Sequence, residues 1–146
     1  MQLTAILPIV LAGLSAALPQ PATLQSNTIT DDIIWSVSNF TIGCSQGGCT
    51  FAYDIVGREN SQTPKFRTHC SGIEKQKVKC DDEHITTTVS PAGNPVWKVE
   101  VIHSWKSWLT DASLATWWQQ GEKDVTVPDR NPVRFVMKPT QEYGIA

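Results

Sequence analysis

Hydrophobic and polar positions alternate in short runs along most of the chain, and Gly, Pro, Asn and Asp separate the runs. Alternation with period two marks half-buried strands. The first run spans Ile34 to Ile42, and the second, Thr50 to Val56, places Phe51, Tyr53 and Ile55 on one face. Cys44-Ser45-Gln46-Gly47-Gly48-Cys49 joins them, and its glycine pair favours a hairpin. A polar loop follows over 57–64. Lys65 to His69 and Glu74 to Lys79 flank Ser71-Gly72, which predicts a second hairpin. His84 to Ser90 is a threonine-rich strand, and Pro91-Ala92-Gly93-Asn94-Pro95 is a turn. Val96 to Trp105 aligns Trp97, Val99, Val101 and His103 on one face, and Thr126-Val127 and Arg134 to Lys138 are the last strand signals. Residues 107–123 read as strand and loop, although Asp111 also suits the cap of a short helix. The expected fold is all-β: a compact antiparallel β-barrel or sandwich with two disulfides, with residues 33–146 as one domain.

The N-terminus follows another pattern. Residues 1–17 carry no charged side chain, Ala5 to Leu14 is an apolar stretch broken by Pro8, and Ser15-Ala16-Ala17 supplies small residues for cleavage after Ala17. This predicts a secretory signal peptide over 1–17, followed by a flexible polar arm over 18–32. No apolar run reaches the length of a membrane span, so no transmembrane segment is expected and the destination is extracellular.

Secretion changes how the cysteines read. Cys44, Cys49, Cys70 and Cys80 are an even set in an oxidising compartment, which predicts two disulfides. Of the three pairings, Cys44 with Cys49 and Cys70 with Cys80 is expected because it closes two short loops. A zinc site from His69, Cys70, Cys80 and His84 competes with it, but the interval between Cys70 and Cys80 matches no common zinc motif. Asn39-Phe40-Thr41 is an N-glycosylation sequon, and its use requires Asn39 to face solvent while Phe40 faces the core.

Composition narrows the function. A net charge of -2 over 146 residues lacks the basic surface of a nucleic-acid binder, so no nucleic-acid partner is expected. Lys75, Lys77 and Lys79 would share one solvated strand face, and the acids Asp81-Asp82-Glu83 that follow lack the spacing of a calcium loop. No metal or cofactor is expected, and the chain is taken as a monomer. Of the six tryptophans, five fall at 97, 105, 108, 117 and 118. Most of this cluster belongs in a core. Trp105, Trp108, Trp117 and Trp118 are the candidate binding surface, and adjacent Trp117 and Trp118 must point to opposite faces of a strand. His69, His84, Glu74 and Arg67 supply the residue types of a ribonuclease, but their spacing decides nothing. There is no G-x-S-x-G elbow. No catalytic residue is assigned, and the chain is read as a non-enzyme.

The segments Trp35-Ser36-Val37-Ser38-Asn39-Phe40, Cys44-Ser45-Gln46-Gly47-Gly48-Cys49-Thr50-Phe51, Arg134-Phe135-Val136-Met137-Lys138-Pro139 and Tyr143-Gly144-Ile145-Ala146 give the chain a family likeness. It resembles the secreted hypersensitive response-inducing elicitors of plant-associated ascomycetes, especially the second type from the rice blast fungus. It is more distantly similar to the Alternaria major-allergen β-barrel family, from which its cysteine layout departs. The resemblance implies an apoplastic protein that plant cells perceive, with localised cell death and defence signalling as the response. It implies no active site. The alternatives are a small-ligand or glycan-binding barrel and a secreted hydrolase or ribonuclease.

Overall fold

The computed structural model describes residues 23–25, 33–129 and 132–146. The predicted signal peptide, its cleavage point and most of the arm lie outside the described residues. Among the described residues ten strands make up the regular structure: β1 (Thr23–Gln25), β2 (Trp35–Ser45), β3 (Gly48–Gly57), β4 (Phe66–Ile73), β5 (Val78–Lys79), β6 (Ile85–Gly93), β7 (Val96–Thr110), β8 (Ser113–Thr126), β9 (Val133–Met137) and β10 (Pro139–Ile145). They form a six-stranded sheet in the order β1-β10-β8-β7-β6-β5 and a four-stranded sheet in the order β4-β3-β2-β9. Every pairing is antiparallel. The two sheets do not close on each other, so of the two expected architectures the chain adopts the sandwich.

Alternation explains the core. Phe51, Tyr53 and Ile55 of β3 and Val99, Val101 and His103 of β7 all point inward and are buried. Trp35, Phe40, Ile85, Val89 and Met137 fill the space between the sheets. Trp35 meets Phe66 edge to face with centroids 5.7 Å apart, and Phe40 meets Phe135 in the same way at 5.6 Å. The Tyr53 hydroxyl crosses between sheets to donate to Thr87 Oγ1 at 2.6 Å, and the Thr87 hydroxyl in turn donates to the Glu100 carbonyl at 2.8 Å. Burial pushes the Tyr53 phenol well above its ordinary range.

The disulfides pair as expected. Cys44–Cys49 links directly opposite positions at the end of the β2–β3 hairpin. Cys70–Cys80 ties β4 of one sheet to the residue after β5 of the other. With both cysteines oxidised, the zinc reading has no thiolates to use.

Two expectations are corrected, and the strand-and-loop reading of 107–123 holds. Ser71-Gly72 makes no turn: β4 runs through both residues because they pair with Ala52 and Phe51 of β3. Glu74 to Lys79 therefore forms no hairpin with β4, and its short strand β5 joins β6 in the opposite sheet. Lys75 and Lys77 lie outside any strand, Lys75 with φ 63°, so the three lysines share no strand face. The ambiguous segment 107–123 is strand on both sides of a tight turn at Asp111-Ala112, and no helix occurs among the described residues.

Candidate functional site

Strands β7 and β8 are the longest among the described residues, at 15 and 14 residues. Their neighbours stop early. The ladder from β6 reaches β7 only as far as His103, and the ladder from β10 ends where Ile145 meets Thr116 of β8. Beyond those points the β7–β8 hairpin overhangs the sheet, and among the described residues no strand flanks it. Its end is apolar: Trp108, Leu109 and Leu114 are 69%, 43% and 42% exposed. Trp108 and Leu114 are directly opposed across the ladder and so share its outer face. Farther in on the same face, Trp118 stacks on Tyr143 of β10, with centroids 5.3 Å apart and planes 15° apart.

This geometry divides the four candidate tryptophans. Trp105 turns inward, is 7% exposed and packs on the His103 ring at 5.0 Å. Trp117 lies on the inner side against Gly144, where an added Cβ would stand 2.7 Å from the indole. Trp108 and Trp118 alone share the outer face. Leu114, Tyr143 and Ile145, none of them among the candidate binding residues, join them there. Finding them requires the register of β7, β8 and β10, which the sequence does not carry.

A second site lies on the outer face of the four-stranded sheet. Trp35 and Val37 of β2 point inward, and so does Phe40, which reverses the odd-even parity of the strand. The chain absorbs the change in a bulge between Ser38 and Thr41, with Asn39 left-handed at φ 54°. The bulge turns Asn39 outward beside Ser38, although the parity set by Trp35 and Val37 would have aimed it at the core. Asn39 Nδ2 donates to Asp54 Oδ2 at 2.7 Å, and His69 Nδ1 meets Asp54 Oδ1 at 2.9 Å. The Asn39 amide and then His69 hold the Asp54 carboxyl below its ordinary value. An open cleft of about 750 Å³ adjoins this row, with Val56 in its wall and Ser38, Arg67, Asp81 and Asp82 around it.

The ribonuclease types are not gathered into one site. Arg67 and His69 share this cleft, whereas Glu74 accepts a hydrogen bond from the Cys49 amide at 3.2 Å and is absent from its lining. His84 is held at its Nδ1 by Asp82, 3.2 Å away. Among the described residues, no group of three or more His, Cys, Asp or Glu is placed to hold a metal ion.

A buried polar row lies inside the sandwich. Asn60 Oδ1 accepts from the amides of Gln62 and Thr63 at 2.8 and 2.7 Å, folding the 58–65 loop so that Thr63 points in. Gln119 Nε2 donates to Thr63 Oγ1 at 2.9 Å and to Glu142 Oε2 at 2.5 Å. His103 lies directly across from Gln119, between the rings of Phe66 and Trp105. His103 Nδ1 and Gln119 Oε1 have no protein partner.

No family model matches the chain, and no curated protein or solved structure matches it.

Proposed function

We propose that the protein is a secreted fungal elicitor or effector that plant cells perceive through its folded surface, with the overhanging β7–β8 hairpin as the contact. The exposed apolar end of that hairpin carries the reading. A Trp and two Leu side chains left in water, on strands that outrun their neighbours, are costly for a monomer and suit a partner that buries them. The family likeness supplies the host. Two disulfides in a small domain, with no helix long and apolar enough to cross a membrane among the described residues, are compatible with an extracellular location.

The test is leaf infiltration of folded protein beside a reduced and alkylated sample and a folded Trp108→Ala variant. Folded wild type is expected to cause local cell death, and the other two to lose most of it. Inert wild-type protein refutes elicitation. Full activity of the reduced sample assigns the signal to a linear epitope instead of the hairpin.

A glycan-binding reading has one observation of its own, the flat Trp118–Tyr143 pair on the outer sheet face. Sugar stacking there would shift tryptophan emission across a glycan panel, and a Trp118→Ala variant would lose the response.

A further inference from the structure

Elicitation through the hairpin leaves the Asn39-Phe40-Thr41 sequon and the adjoining cleft without a role. We infer that Asn39 carries an N-linked glycan whose innermost N-acetylglucosamine seats in that cleft, over the Asp54–His69 pair. The inference rests on the secretory location proposed above and not on elicitation.

The bulge is the first support. Phe40 is fully buried, and a regular strand through Trp35 and Val37 would direct Asn39 inward. The left-handed residue at position 39 delivers the amide to solvent while Phe40 remains in the core. The amide chemistry is the second. In glycosylation Nδ2 loses one proton and bonds to the anomeric carbon of a lipid-diphosphate-linked oligosaccharide, whose C–O bond to the diphosphate breaks. The secondary amide that results keeps one N–H, and Asp54 Oδ2 accepts one. The contact that orients Asn39 is thus available after modification.

The cleft is the third support. Its volume of about 750 Å³ falls in the range of small-molecule sites. Asn39 itself is part of the lining. Val56 offers methyl groups to the apolar face of a pyranose, while Ser38, Arg67, Asp81 and Asp82 surround it with donors and acceptors for hydroxyl and acetamido groups. A sugar there would cover the part of His69 that lines the cleft.

Expression of the full chain in a secreting yeast tests this, once with its own N-terminus and once with a host leader ahead of Leu18. The leader arm keeps failure of the native signal separate from failure of the site. The secreted protein is expected to weigh more than its polypeptide by a glycan that endoglycosidase removes after denaturation. Thr41→Val is expected to lack that mass, with Asn39→Gln as a second route should Thr41→Val misfold. Diethyl pyrocarbonate is expected to modify His69 several-fold more slowly in the glycosylated protein than in the unglycosylated variant, with His84 reacting equally in both. Bare polypeptide mass from the leader arm overturns the site. A glycan accompanied by unprotected His69 overturns the seating.

Discussion

His103 is the residue at which the interior of this sandwich meets solution pH. It is 3% exposed, flanked by Phe66 and Trp105, and burial holds it down at about 4. Above its ordinary pKa of 6.5 the imidazole is neutral in both folded and unfolded chains, so it adds no pH dependence there. As pH falls from there toward about 4, the unfolded chain takes up a proton that the folded chain refuses, and stability declines. The full loss is roughly 3 kcal/mol. Asp54, held below the ordinary carboxylate value of 3.8, begins to lose its contribution only beneath that window. Urea unfolding at about pH 7 and about pH 4.5 is therefore expected to show a smaller drop for His103→Phe than for wild type. Equal drops refute the assignment. Gly57 carries a second prediction at this scale. It is buried opposite Phe66, and a Cβ placed there would overlap the phenyl ring. Gly57→Ala is expected to cost about 1–3 kcal/mol as overpacking, read as a lowered unfolding midpoint.

Among the elements, the two disulfides differ in what they hold. Cys44–Cys49 closes the end of a hairpin already registered by its own ladder, at exposed and half-buried positions. Cys70 and Cys80 are both buried, and their bond is one of the few ties from β4 to the opposite sheet. Replacing the second pair by Ala is expected to cost several kcal/mol, within the roughly 2–5 kcal/mol range of native disulfides, and replacing the first pair distinctly less. Denaturant midpoints of the two double variants check the order. The same elements mark what the sequence made legible. Strands β3 and β7 are readable because each buries one face and period two then appears in the residues themselves, and β2 is readable from its Trp, Val, Phe and Ile content although its bulge breaks the period. Ser71-Gly72 is a turn signal locally, and the ladder of β4 with β3 overrides it. Strand β10 carries no legible signal because Pro139, Gly144 and the buried Glu142 hide its alternation, and Glu142 is tolerated inside through Gln119. Trp108 was legible as a candidate, but its partners were not, because cross-strand register joins residues with no local signal between them.

At the scale of the molecule, a sandwich has two outer faces that point away from each other. The apolar hairpin and the Trp118–Tyr143 pair belong to the six-stranded sheet, while Asn39 and most of its cleft belong to the four-stranded one, with Asp81 and Asp82 of the β5–β6 turn at the cleft's edge. A glycan on Asn39 therefore stands on the far side of the core from Trp108, and the two sites have no shared residue through which to couple. Loss of the glycan is expected to leave elicitation unchanged, and loss of Trp108 to leave the shielding of His69 unchanged. Folded Thr41→Val protein should match wild type in a leaf dose series, while Trp108→Ala protein should fail there yet show wild-type protection of His69 from diethyl pyrocarbonate. A Thr41→Val protein that folds but elicits weakly would place the perceived surface on the four-stranded sheet, and the hairpin would then be the wrong face.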